Sequence, residues 1–310
     1  MSGTAVPAPS ELCDLAVAIA REAGRLLEGR VGGVEVAATK SSPTDVVTEM
    51  DRRAEELIRS RILTARPGDA ILGEEGGQTG DADGAPVRWV VDPLDGTINY
   101  LYGLHDWAVS IAAEVEWVAG GEAGRVAGGE VGRKIVAGAV YIPMRGELFS
   151  AFTGGGAWLE SRWCPPGRTE FQPSGPYQPG EKNHTRLQCR HGVPLGQALV
   201  GTGFGYRAGR RKVQGEVVGA LLPQVRDIRR AGVASVDLCA VAAGRLDGYY
   251  ERGLNYWDWA AGALVASESG ARVGGLHGVP VSSSMAVAAG PGLFGPLSDA
   301  LAALNPERDA

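Results

Sequence analysis

A chain of 310 residues, 44% hydrophobic and 21% charged, can bury the core of one large domain or of two intimate ones; disorder and a coiled coil are excluded as defaults. Thirty Lys and Arg against 36 Asp and Glu leave a net charge of -6. Nucleic acid is therefore not the expected ligand, because neutralising phosphates needs clustered cations.

The elements follow in chain order. Met1 to Ser10 has neither a positive start nor an apolar run, and no 18-residue uncharged apolar stretch occurs, so a soluble, cytoplasmic protein with no membrane partner is expected. Ser10 to Gly29 predicts a helix with Ser10 as N-cap and Leu12, Leu15, Ile19, Leu26 and Leu27 on one face. A second helix is expected from about Thr44 to Ala65, stopped by Pro67-Gly68. Ala70 to Gly73 and Arg88 to Val91 predict short strands that run into acids. Further strands are expected at Ala108 to Val115, Ile135 to Ile142 and Glu147 to Thr153. The Gly- and Glu-rich stretch from Glu116 to Lys134 suggests a hairpin extension, and Arg162 to Arg190, without usable periodicity, a long connection. Beyond it come a strand at Gln197 to Gly203, a helix at Val217 to Val225 and a small-residue helix at Ala234 to Gly244. A strand at Tyr249 to Glu251 and a helix at Asp258 to Gly270 complete the reading. Strands alternate with helices without repeats, which favours a layered α and β architecture. Two basic clusters, Arg207 to Lys212 and Arg226 to Arg230, read as surface charge. Cys13, Cys164, Cys189 and Cys239 are too far apart for a zinc or redox motif.

Five acids stand in apolar settings. Glu74 and Glu75 end one strand, Asp92 and Asp95 flank a proline at the end of another, and Asp258 lies between two tryptophans. Burying carboxylates costs several kcal/mol each unless they are paired or hold a cation. With no His or Cys nearby, the oxygen-only set suits a hard divalent ion, Mg²⁺ before Zn²⁺ or Cu²⁺. In Asp92-Pro93-Leu94-Asp95-Gly96-Thr97, Pro93 fixes the turn and Gly96 allows close backbone approach, so the N–H groups of Gly96 and Thr97 would point at an anion if a helix starts there. Taken alone, the same run is also an ordinary Asp/Gly turn capping a helix.

Four segments together, Lys40 to Asp51 (KSSPTDVVTEMD), Gly73-Glu74-Glu75, Trp89 to Tyr100 (WVVDPLDGTINY) and Trp257 to Gly262 (WDWAAG), resemble the signatures of the inositol monophosphatase family, and in the same order. The resemblance spans roughly Leu12 to Ala289. It implies an α/β fold, the αβαβα sandwich of the sugar phosphatases, with an N-terminal α+β part over residues 1–160 and a C-terminal α/β part over 161–310, the site between them. It implies Glu74, Asp92 and the Leu94 carbonyl on one Mg²⁺, Asp92, Asp95 and Asp258 on a second, and a third, weaker ion near Glu74. Two bridged metals suit in-line phosphoryl transfer. By the same resemblance Thr97 and Asp51 orient the attacking water, Glu75 stands behind the metal ligands, and Gly96 and Thr97 meet phosphate oxygens. Asp45 also matches a family position and reads as structural rather than catalytic. Lys40 falls in the loop that closes over the metals in relatives, though taken alone such a lysine is more often a solvated surface residue.

Asp95, Arg229, Ala234 and Glu251 are implied as contacts to substrate hydroxyls, near Asp258; for Arg229 a structural or subunit-interface ion pair is an even alternative. Where the family often has Gly-Ser-Ala or Gly-Thr-Ala, this chain has Gly232-Val233-Ala234 and so lacks a hydroxyl. The implied activity is Mg²⁺-dependent, lithium-sensitive hydrolysis of myo-inositol 1-phosphate. Histidinol phosphate is the runner-up substrate, with fructose 1,6-bisphosphate and nucleotide phosphates behind it. A homodimer is the implied assembly. A regulatory, protein-binding role is the alternative of another class, and loss of a metal acid would favour it; none is lost.

Overall fold

The computed structural model describes residues 6–29, 36–39, 46–81, 84–116, 132–161 and 183–308. Lys40, Asp45 and Cys164, most of the expected hairpin extension and the first part of the long connection lie outside them.

Helix α1 (Pro9–Glu28) is capped by Ala8 and not by the expected Ser10, which lies inside the helix, because Pro9 supplies a backbone angle suited to the first helical position. Helix α2 (Glu49–Ala65) starts later than the expected Thr44. The β-branched Val46 and Val47 pair as strand β2 (Val46–Thr48) with β1 (Val36–Thr39), and Thr48 then caps the helix. Its hydroxyl accepts from the Met50 N–H at 3.2 Å, while Asp51 accepts from the Thr48 N–H at 2.7 Å, a reciprocal cap.

Among the described residues the larger sheet has eight strands. It runs in the order β10 (Asn183–Arg186), β9 (Gly156–Ser161), β8 (Glu147–Phe152), β7 (Arg133–Ile142), β6 (Ala108–Glu116), β5 (Val87–Asp95), β3 (Ala70–Gly73), β4 (Gly77–Thr79). Only β3 and β5 pair in parallel. Strand β5 runs past the expected Val91 to Asp95, with a break in register against β6 between Asp92 and Asp95. Pro93 sits in that irregularity, where no ladder N–H is required of it. Strand β10 corrects the expectation of a structureless connection up to Arg190: its polar Asn-His-Thr-Arg sequence joins the sheet edge through backbone pairing, which leaves no hydrophobic pattern to read.

The smaller sheet has five strands among the described residues, in the order β12 (Asp227–Arg229), β11 (Leu199–Thr202), β13 (Gly248–Glu251), β15 (Ala286–Ala289), β14 (Arg272–Gly274). Strands β14 and β15 and helix α7 (Phe294–Ala303) were not among the expected elements. Helix α4 (Ala208–Leu221) begins nine residues before the expected Val217, because its first turns are the exposed basic cluster and only Gln214, Val217 and Leu221 are buried. Helix α5 covers Ala234–Ala242 and α6 covers Tyr256–Glu268, while α3 (Thr97–Leu101) is a single short turn after β5.

Three buried clusters build five layers. Leu12, Ile19 and Leu27 of α1 and Ile58 and Ile62 of α2 pack on Trp89, Val91 and Ile111 of the large sheet. The alternate residues Val90 and Ala112 face the other way, onto Leu238 of α5 and Leu264 of α6, which also touch Tyr249 and Ala288 of the small sheet. Tyr250 and Val287 point to the outer face and meet Val217, Leu221, Leu297 and Leu301 of α4 and α7. The order is thus helices, sheet, helices, sheet, helices, the expected sandwich. Each fully buried large apolar side chain contributes roughly 1.5–3 kcal/mol. The middle helices touch closely: a Cβ on Gly262 of α6 would lie 2.9 Å from Leu238 Cβ and 3.1 Å from the Ser235 carbonyl oxygen of α5.

Candidate active site

The ends of β3 and β5, the α3 turn and the first turns of α5 and α6 bring the predicted acids together. Asp92 is buried, and its Oδ1 accepts the Leu94 N–H at 3.0 Å, which holds the turn around Pro93. Burial, then the neighbouring charges of Glu74, Asp95 and Asp258, push its carboxyl well above the usual carboxylate range. Asp258 is raised first by burial and then by Glu74 and Asp95, despite accepting the Asn255 N–H at 2.7 Å. That hydrogen bond is the N-terminal cap of α6, so the helix itself aims the carboxyl at the cluster. Asp95 is pushed up to about 6 by burial, against hydrogen bonds from the start of α5: Oδ2 accepts from Ser235 N at 2.9 Å and Ser235 Oγ at 2.6 Å.

Thr97 and Asp51 meet as implied. Thr97 Oγ1 lies 3.0 Å from Asp51 Oδ1 and 3.2 Å from the Leu94 carbonyl oxygen. Asp51 is held in turn by the Thr48 N–H at 2.7 Å and the Thr48 hydroxyl at 2.5 Å, so it accepts and does not swing. Gly96 precedes α3 with φ of 93°, and a Cβ there would lie 2.8 Å from Val233 Cγ2 and 3.1 Å from the Asp106 carbonyl oxygen. The turn therefore needs glycine for both conformation and space.

At the rim, burial pushes Glu251 up to about 7, with the Asp95 charge adding to it and the Tyr249 hydroxyl, 2.7 Å from Oε2, and Arg230 opposing. Ala234 is buried at the start of α5 and its backbone hydrogen-bonds to Asp95. Arg229 is not brought into the cluster: it is exposed and bonds Asp227, and its neighbour Arg230 is the cation whose charge reaches Glu251. Glu75 is half-buried, and its N–H donates to Glu55 at 2.7 Å.

Several residues of the site were not singled out in the sequence. Ser235 stands two places after Val233, so a hydroxyl absent from position 233 is present one step inside α5. Asp237, buried and raised by burial and by Glu251 and Asp95, lies on the same helix. Glu55 follows Asp51 by four residues on the buried face of α2; two acids at that spacing within an apolar stripe were the readable signal.

Among the described residues, no three acids, histidines or cysteines stand at the spacing of a ready-made metal shell. The donor chemistry nevertheless fits a hard cation, because clustered buried carboxylate oxygens can share a bound positive charge in place of taking up protons. Mg²⁺ commonly takes only one or two carboxylates and completes its shell with water and phosphate oxygens, so an open arrangement is compatible with it.

The family model described as the inositol monophosphatase family matches residues 8–304. The inositol-1-monophosphatase SuhB of Mycobacterium tuberculosis is 41% identical over 313 residues, covering 96% of this chain and 95% of that protein. The Nus factor SuhB of Pseudomonas aeruginosa is 36% identical over 272 residues, covering 86% of each. The solved structure of Mycobacterium tuberculosis SuhB superposes with a TM-score of 0.72 at 38% identity, covering 97% of this chain and 99% of that one. The extragenic suppressor protein suhB of Bartonella henselae gives 0.74 at 31%, covering 94% and 98%. The architecture is that of a layered α/β sandwich of the sugar-phosphatase type. This chain belongs to the inositol monophosphatase family. No helix among its described residues is long and apolar enough to cross a membrane.

Proposed function

We propose that the protein is a Mg²⁺-dependent phosphomonoesterase that hydrolyses myo-inositol 1-phosphate to inositol and phosphate. The observation that carries the reading is the convergence of Glu74, Asp92, Asp95 and Asp258 beside the Thr97–Asp51 pair. Glu74, Asp92 and the Leu94 carbonyl would hold one ion, and Asp92, Asp95 and Asp258 a second. Bound there, Mg²⁺ supplies charge neutralisation for the phosphate and acidifies the attacking water.

The chain's own residues set the geometry of attack. Thr97 has one hydroxyl proton, and Asp51, fixed by Thr48, is placed to accept it. The Thr97 oxygen is then left as an acceptor, so a water beside it donates a hydrogen bond to Thr97 and turns its lone pair toward phosphorus. Water oxygen bonds to phosphorus and sheds one proton, the bond from phosphorus to the sugar oxygen breaks opposite it, and the departing alkoxide takes up one proton, that of the attacking water passed on through solvent, to leave as alcohol. The backbone at Gly96 and Thr97 faces the phosphate. Glu251, steadied by Tyr249, accepts hydrogen bonds from vicinal hydroxyls, with Arg230 rather than Arg229 beside it. Residues 1–160 and 161–310 act as two parts of one catalytic unit, since Glu74, Asp92, Asp95 and Thr97 come from the first and Ser235, Glu251 and Asp258 from the second.

The test is phosphate release with Mg²⁺ from inositol 1-phosphate, histidinol phosphate, fructose 1,6-bisphosphate and a 3′-phosphonucleotide, compared by kcat/KM. Preference for inositol 1-phosphate supports the reading. Preference for histidinol phosphate keeps the metal chemistry and refutes the pocket. A second reading, regulation through a protein partner, is favoured by similarity to the relative named Nus factor SuhB; absence of Mg²⁺-dependent turnover on all four substrates would support it.

A further inference from the structure

Behind the acid cluster lies a buried carboxylate that touches none of the groups assigned to phosphate or water. Glu55 of α2 is 2% exposed, and its oxygens face the turn between β3 and β4. Oε2 accepts the Glu75 N–H at 2.7 Å. Oε1 accepts the Gly76 N–H at 2.7 Å and Arg59 Nε at 2.7 Å. Arg59 continues the contact, since its Nη2 donates to the Gly77 carbonyl oxygen at 2.6 Å. The turn is shaped around this carboxylate. A Cβ on Gly73 would lie 2.6 Å from Glu55 Cδ, and one on Gly76 would lie 2.7 Å from Glu55 Oε1. Gly73, Glu74, Glu75 and Gly76 thus read as two acids between two glycines because α2 inserts a charged side chain under the turn.

We propose that Glu55 is a positioning residue: by holding the Glu75 and Gly76 N–H groups it fixes the backbone from which Glu74 projects, and so sets the affinity of the site for Mg²⁺. The inference rests on Glu74 being a metal ligand. Two charge-assisted hydrogen bonds to consecutive amides remove the freedom of a turn that otherwise ends the short β3–β4 pairing. Arg59 neutralises the carboxylate, so its burial is tolerated without drawing on the metal. Glu55→Gln retains the shape but replaces one oxygen by an NH₂ group; however the amide is turned, one backbone N–H then faces a donor.

The experiment is calorimetric titration of Mg²⁺ into the full chain without substrate, for wild type, Glu55→Gln and Glu74→Gln, with amide hydrogen exchange of residues 75 and 76 in the metal-free protein. Glu55→Gln is expected to weaken Mg²⁺ binding about 10- to 100-fold, the effect usual for a residue that orients a metal ligand, and to accelerate exchange at Glu75 and Gly76. The Mg²⁺ concentration for half-maximal activity rises with it, while kcat at saturating Mg²⁺ largely returns. A merely structural role would lower the melting temperature and leave the Mg²⁺ titration where it was. Unchanged exchange at 75 and 76 overturns the proposal, as does wild-type Mg²⁺ affinity in Glu55→Gln when Glu74→Gln has lost it. If Glu74→Gln keeps wild-type affinity, the metal assignment of Glu74 fails, and with it the claimed effect of Glu55 on Mg²⁺. Should Glu55→Gln not fold, Glu55→Asp, which withdraws the oxygens by one methylene while keeping the charge, is measured the same way.

Discussion

The acid cluster makes the metal-free protein pH-sensitive in an unusual direction, and Asp95→Asn isolates the effect. Asp95 rises from the ordinary 3.8 to about 6 on folding. An acid whose folded pKa is raised binds its proton more tightly in the native state, so the native state is penalised as pH climbs from the unfolded to the folded value. For Asp95 the penalty is absent below about pH 4, grows to about pH 6 and is constant above it. Two pKa units correspond to ~3 kcal/mol, an upper figure because neighbouring acids relax one another. Asparagine keeps a carbonyl oxygen for the Ser235 N–H and hydroxyl donors, so the hydrogen bonds at Oδ2 survive. In EDTA at pH 8, urea denaturation should show Asp95→Asn more stable than wild type by about 1–3 kcal/mol; at pH 4 the two should coincide. Excess Mg²⁺ should reverse the order at pH 8, because the ion stabilises the wild type by binding the native state alone. An equal change at both pH values, or a loss of stability at pH 8 in EDTA, would refute mutual repulsion as the property of this site.

Other outcomes follow from single contacts. Thr97→Val removes the hydroxyl between Asp51 and the water while keeping the shape, and kcat should fall about 10²-fold or more with the melting temperature nearly unchanged, read by steady-state assay and calorimetry. Gly96→Ala places a Cβ 2.8 Å from Val233 Cγ2 at a φ of 93°, so urea unfolding should show a loss of about 2 kcal/mol or more, with activity lost in parallel. Glu251→Gln should raise KM for a polyol phosphate more than it lowers kcat, since the proposed function has the residue meet hydroxyls and not phosphorus. It should also stabilise the metal-free protein above pH 7, because Glu251 too is raised, to about 7, and its penalty accrues as pH rises to that value.

Much of the site could be read before the fold, for a physical reason. Asp92, Asp95, Asp258, Glu74 and Thr97 lie within short contiguous motifs, where a proline, a glycine or a helix start advertises the local geometry. Strand β5 shows the limit: the apolar run stops at Val91, whereas the strand continues through Asp92, absorbs Pro93 in an irregularity and ends at Asp95. The partners of residues acting across the layers were silent. Glu55 is separated from Glu75 by 20 residues and Ser235 from Asp95 by 140, and neither partner is visible without the packing. Arg229 and Arg230 are adjacent in sequence and both exposed, and only the packing shows that Arg229 bonds Asp227 whereas the charge of Arg230 reaches Glu251. Strand β10 and the terminal elements β14, β15 and α7 are short or weakly patterned, so pairing partners rather than periodicity define them.

The tight seam between the two central helices has a reach beyond packing. Ser235, which grips Asp95, begins one of these helices, Asp258 lies in the first turn of the other, and the missing side chain at Gly262 lets the two sit at contact distance. The gap between Asp258, carried by one helix, and Asp95, a strand residue gripped by the other, is thereby gauged by Gly262. Changing the gauge by a single methyl group would move Asp258 relative to Asp95 without altering either acid.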